Sequence, residues 1–140
     1  MPPILVPGSI LPRMRVYLVR HAEAAPGKPD ELRRLTPSGQ EQARALGEQL
    51  RAEGVTPDTI LSSPLLRARE TADALGFGRS EPDDRLAPGA TADDVRAAVA
   101  GRGETVVVVG HQPDCSEIVL ALTDEERSFA PAAYAAVDLP

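Results

Sequence analysis

Short apolar runs alternate along this chain with longer stretches in which apolar residues return every three or four positions. Residues 15–19, RVYLV, form the first run and read as a buried strand. A polar loop containing prolines follows. The stretch LTPSGQEQARALGEQLRAEG then changes period, placing Ala43, Leu46, Gly47 and Leu50 on one face of a helix. Thr36 suits its N-cap, Pro37 its first position and Gly54 its terminator. PDTILSS predicts a short strand over 59–61, with a helix behind it capped by Ser63, carrying Pro64 at its first position and ending at Gly76. A Pro- and Asp-rich stretch leads to a short helix over 92–100. Residues 105–109, TVVVV, are continuous and β-branched, as a strand covered on both faces requires. Pro113 opens a helix to about Leu122, and AAYAAVDL predicts a last strand at a sheet edge. Strands alternating with helices predict an α/β fold, a three-layer α/β/α sandwich with a largely parallel sheet. Residues 14–140 read as a single domain without internal repeats. Residues 1–13, apolar and broken by prolines, read as an N-terminal extension, with Met14 available as an alternative start.

Composition narrows the function classes. A chain of 140 residues can bury a real core. Aromatic residues make up only 3%, so that core rests on Leu, Val, Ile and Ala, and base-stacking platforms are not expected. The formal net charge of −6 argues against a nucleic-acid partner, which needs a basic face. No basic residue precedes Arg13, unlike a signal peptide, and no apolar run approaches the roughly 20 residues of a membrane span. No membrane partner is therefore expected. The lone cysteine, Cys115, cannot close an intramolecular disulfide; it fits a reducing, cytoplasmic setting and reads as a core residue of its helix.

The candidate chemistry lies where the predicted strands end. In an open α/β sheet, ligands bind beyond the carboxyl ends of the strands. The first strand runs into Arg20 and His21. The second runs into SSPLLRARET, which puts Arg67 in the first turn of a helix. The valine strand runs into GHQP and delivers His111. Singly, each has an ordinary explanation: histidines after strands commonly bond loop backbone, and first-turn arginines are commonly solvated. Arg67, however, opposes the helix dipole there, a cost that an anion would relieve. Both histidines of the chain and two arginines at one edge point to phosphate. Arginine forks bind phosphate oxygens bidentately. A neutral imidazole can attack phosphorus and hold a covalent intermediate, and positioned cations stabilise the charge on the transferring group.

Other phosphatase chemistries fail on the residues. A cysteine nucleophile needs an arginine six positions on, and six beyond Cys115 is Ala121. No Asp-x-Asp closes a strand and no Walker loop is present. Two histidines without clustered carboxylates make a poor metal site.

LVRHAEA, LTPSGQEQARALGEQL, ILSSPLLRARETADAL and VVVVGHQPD together resemble the histidine phosphatase superfamily, also called phosphoglycerate mutase-like, in the family's order and from about Met14 to Leu122. The resemblance implies His21 as the phosphorylated nucleophile, with Arg20, Arg67 and His111 lining the phosphate pocket. It implies ping-pong turnover: phosphate passes to His21, the product leaves, and water releases phosphate. It implies no metal or organic cofactor.

The chain also departs from larger members of that family. Those carry a long insertion between the positions matching Arg67 and His111, which supplies a lid and an acid. Here only the 43 residues from 68 to 110 intervene, as in the small SixA-type phosphohistidine phosphatase branch. Where the phytase branch has an aspartate after the second histidine, this chain has Gln112. Candidate acids are Asp84, Asp114 and Glu23, in that order, with helix capping the first expectation for Asp114. Three functions follow. The first is a phosphatase of protein phosphohistidine, whose partner would be a histidine-containing phosphotransfer domain. The second is a phosphatase of a small phosphate ester. The third is a phosphoprotein-binding module without turnover, which would not need the nucleophile.

Overall fold

The computed structural model describes residues 13–140, so the extension expected for residues 1–13 lies, apart from Arg13, outside the described residues. Its strands are β1 (Met14–Arg20), β2 (Thr59–Ser62), β3 (Glu81–Pro82), β4 (Thr105–Gly110) and β5 (Tyr134–Leu139). Its helices are α1 (Pro37–Ala52), α2 (Leu66–Ala74), α3 (Ala92–Val99) and α4 (Asp114–Thr123). The five strands form one sheet in the order β3-β2-β4-β1-β5. Four are parallel, and β5 runs antiparallel to β1 at the edge.

Alternation along β4 creates the two faces of the sandwich. Val106 and Val108 join Val16, Leu18 and Leu61 beneath α3 and α4, while Val107 and Val109 join Val19 and Ile60 beneath α1 and α2. All four valines are at most 1% exposed, so the strand is apolar on both sides because helices cover both sides. Burying each such side chain contributes roughly 1.5–3 kcal/mol.

Local signals set most element ends. Thr36 caps α1, its Oγ1 accepting from Gly39 N at 2.9 Å, and Pro37 takes the first position. Gly54, at φ +82°, turns the chain after α1. Thr91 and Asp94 form a reciprocal capping box on α3. A Cβ at Gly47 would lie 1.9 Å from the Leu75 carbonyl oxygen, so α1 meets the end of α2 closer than any larger residue allows. Gly39 likewise lets the Glu23 backbone lie against the start of α1.

Three elements differ from expectation. The helix after β2 starts at Leu66 with Leu65 at its cap position, not at Pro64 behind a Ser63 cap. Ser63 N still pairs with Val109 O at 2.9 Å, so that residue continues the sheet register and the chain turns later. Glu81–Pro82 adds a two-residue edge strand with no periodic signal of its own. Asp114 caps nothing on α4; its Oδ2 accepts from Gly89 N at 2.8 Å, tying the loop before α3 to α4.

Candidate active site

Backbone hydrogen bonds stitch the carboxyl ends of the three central strands together. His21 N donates to Gly110 O at 2.9 Å, joining the loop after β1 to the end of β4. Ser63 N donates to Val109 O at the same distance, joining the end of β2 to β4. Ala22 N donates to Thr71 Oγ1 at 3.0 Å, and Thr71 Oγ1 donates to Arg67 O at 2.8 Å. The loop carrying His21 is thereby pinned to the helix carrying Arg67. The result brings the two imidazoles to 5.3 Å between ring centroids, edge to face at 63°.

Both rings are held neutral. Burial pushes His21 below its ordinary range against the hydrogen bond to Ala22 O, which raises it, and the positive charges of Arg67, Arg20 and Arg33 act with burial. Burial likewise lowers His111, to about 4, with His21 and Arg67 adding to the effect. His21 Nδ1 lies 2.7 Å from Ala22 O, which can only accept, so Nδ1 carries the ring proton and Nε2 keeps its lone pair. On the second ring, Nε2 lies 2.7 Å from Ser63 Oγ. Ser63 Oγ accepts from Leu65 N at 3.2 Å, which leaves its own proton free to donate to His111 Nε2. A Ser63 hydroxyl that donates to Nε2 leaves the neutral His111 ring its proton on Nδ1, where it can act as a donor.

The arginines supply positive potential in a chain of net charge −6. Arg20 donates through Nη1 to Phe129 O at 2.8 Å, while its Nε is buried without a partner among the described residues. Arg67 is 7% exposed, in the first turn of α2. Its Nη1 donates to Asp30 O at 2.9 Å and its Nη2 to Asp30 Oδ2 at 3.2 Å. Arg33 donates to the other Asp30 oxygen at 3.2 Å. Sequence reasoning missed Asp30, Arg33 and the Ser63 contact. The i, i+3 spacing of Asp30 and Arg33 signals their mutual pair, but nothing local points Asp30 at a guanidinium 37 positions away.

None of the candidate acids joins the hydrogen bonding of this cluster. Glu23 is exposed, and its backbone is held by Gln42 and Thr36. Asp84 is exposed in a 3₁₀ turn spanning Asp84–Leu86. Asp114 is buried and engaged with Gly89. None of the three bonds either imidazole. The link from Arg67 to His111 is spent on the rest of α2, β3, the 3₁₀ turn at Asp84–Leu86, α3 and β4. A groove of about 440 Å³ does exist, but at the opposite edge of the sheet, among Arg15, Tyr17, Glu53 and Asp138 and away from both histidines. Cys115 is buried, and its thiol is pushed up to about 12 by burial and then by Asp114, so it stays protonated as a core residue.

A histidine pair at the carboxyl edge of a largely parallel sheet, within the field of Arg20, Arg33 and Arg67, is an arrangement suited to phosphoryl transfer. The profile described as "Histidine phosphatase superfamily (branch 1)" matches residues 16–87, and the chain belongs to that superfamily; it is a phosphatase, a hydrolase. It is 30% identical to the phosphohistidine phosphatase SixA of Escherichia coli over 138 residues, covering 90% of this chain and 86% of that protein. The solved structure of the protein histidine phosphatase SixA complexed with tungstate superposes with a TM-score of 0.79 at 26% identity, covering 88% of this chain and 86% of the other. A phosphoserine phosphatase from Entamoeba histolytica, solved with 3-phosphoglyceric acid, shares the fold at a TM-score of 0.69 and 18% identity, over 88% and 89% of the two chains. Among the described residues, no helix is long and apolar enough to cross a membrane.

Proposed function

We propose that this phosphatase carries phosphate on Nε2 of His21 and removes it from phosphohistidine in proteins. One observation carries the reading: a neutral imidazole, its Nδ1 proton committed to Ala22 O and its Nε2 lone pair thereby free, lies beside His111 within the field of Arg67, Arg20 and Arg33. Nε2 attacks phosphorus, and the electron pair of the breaking bond returns to the leaving atom. Arg20, Arg67 and the Nδ1–H of His111 hold the phosphoryl oxygens. Water then attacks the phosphohistidine and the P–N pair returns to His21, freeing phosphate. The similarity to SixA along most of both chains supports a phosphohistidine substrate. So does the chemistry of the leaving group: an imidazole that already bears a proton departs neutral without a general acid, whereas an alkoxide needs one. A cytoplasmic setting fits the single buried thiol.

His21→Ala tests the nucleophile. It is expected to abolish turnover together with acid-labile incorporation of phosphate into the protein; near-normal activity would require another nucleophile. A phosphorylated histidine-containing phosphotransfer domain, compared with sugar and nucleotide monophosphates, tests the substrate. A small ester preferred tenfold or more in kcat/KM, about 1.4 kcal/mol of transition-state stabilisation, would transfer the assignment to small-molecule phosphates.

A further inference from the structure

We infer that Asp30 is a specificity-determining residue, whose carboxylate faces the leaving group and favours a protonated phosphoimidazole ring over a phosphate ester. The inference rests on the reading of His21 as nucleophile and names what that site recognises beyond phosphate. Asp30 is the acidic side chain bonded to an arginine of the cluster, and it takes both ends of the Arg67 fork, one on its backbone oxygen and one on Oδ2. The Arg67 side chain is 8% exposed and that of Asp30 62%, so the carboxylate covers the solvent-facing end of a buried guanidinium.

His21 is held at the floor of the site through its N–H to Gly110 O and its Nδ1 to Ala22 O. In-line displacement expels the leaving group on the side away from Nε2, and the exposed Asp30 carboxylate on the Arg67 fork is where that group is proposed to emerge. A carboxylate offers about four acceptor positions, and the two arginines occupy two. Capacity therefore remains for a substrate N–H.

The charge on Asp30 decides what it does there. Hydrogen bonds from Arg33, and then from Arg67, hold its carboxyl below the usual carboxylate range. It is therefore ionised at neutral pH and has no proton to give an alkoxide, so it does not fill the role sought for Asp84, Asp114 or Glu23. A fixed anion instead suits a cationic ring. A phosphoimidazole protonated on its distal nitrogen donates that N–H to Asp30, which raises the protonated fraction of bound substrate. As His21 Nε2 bonds to phosphorus, the P–N electron pair returns to the proximal ring nitrogen. The proton stays on the distal nitrogen, and a neutral imidazole departs. A phosphate ester brings no cation, so to it Asp30 presents only repulsion toward the dianion.

The test compares wild type, Asp30→Asn and Asp30→Glu on N-phosphoimidazole and on p-nitrophenyl phosphate, whose turnover also reports folding. Asp30→Asn is expected to lower kcat/KM on N-phosphoimidazole about tenfold or more, the scale of a lost charge-assisted hydrogen bond, and to raise it on the ester. Asp30→Glu, which keeps the charge, is expected to retain most of the N-phosphoimidazole turnover. Equal losses on both substrates in Asp30→Asn would overturn the inference and reduce Asp30 to a support for Arg67. Unchanged N-phosphoimidazole turnover would overturn it as well. Wild-type enzyme that cleaves the ester but not N-phosphoimidazole would overturn it together with the phosphohistidine reading, and so separates the two failures.

Discussion

Acid is expected to destabilise this protein in a window set by His111. The ring protonates at about 4 in the folded chain, against 6.5 for a free histidine. Between those values the unfolded chain binds a proton that the folded chain refuses, so stability falls as pH falls. The contribution is complete above pH 6.5 and drains through the window. Linkage places the loss at about 2 kcal/mol by pH 5 and about 3 kcal/mol by pH 4, where it levels off as the folded ring titrates too. The perturbation is His111→Gln, which removes the titrating ring while keeping an amide within reach of Ser63. The assay is urea denaturation of both proteins from pH 4 to 8. Buffers free of phosphate and sulfate are needed, because a bound anion would add stability of its own. Wild type is expected to lose about 2 kcal/mol more than His111→Gln between pH 8 and pH 5. His21 is pushed down as well, but it remains in both proteins, so its contribution largely cancels in the comparison. Parallel pH profiles, or a variant more acid-sensitive than wild type, would refute the buried neutral pair on which the mechanism depends.

Two further perturbations probe the support of the site. Ser63→Ala strips partners from His111 Nε2 and Leu65 N, so it is expected to cost about 1–3 kcal/mol in urea stability and about tenfold in kcat/KM; wild-type kinetics would mean that Ser63 does not set the His111 tautomer. Gly47→Ala drives a methyl group into the Leu75 carbonyl and is expected to lose about 1–3 kcal/mol in the same unfolding assay, with kcat/KM preserved below the transition; a neutral result would disprove the close approach of α1 to α2.

Much of this architecture is legible in local pattern. TVVVV reads as a central strand because two helical layers must cover it, and it lies between β1 and β2 with both faces buried. Thr36-Pro37 marks the start of α1 because a cap and a fixed φ act within one turn. Ser63-Pro64 carries the same kind of signal and misleads. There the serine is still bonded to β4, and a competing sheet bond outweighs the capping preference. Glu81–Pro82 was invisible for the opposite reason: two exposed residues have no period, and only the neighbouring β2 makes them a strand.

The sequence by itself determined what depends on neighbours in the chain: hydrophobic period, capping, strand ends, and so the delivery of Arg20, His21, Arg67 and His111 to one edge. Tertiary structure decided the partners. Asp30 meets Arg67 across 37 positions, and Ser63 meets His111 across 48. Asp114, spaced like a helix cap, bonds Gly89 instead. Short polar side chains bond whichever complementary group lies within about 3 Å. Which group that is depends on how the loops close over the sheet, and no local period encodes it.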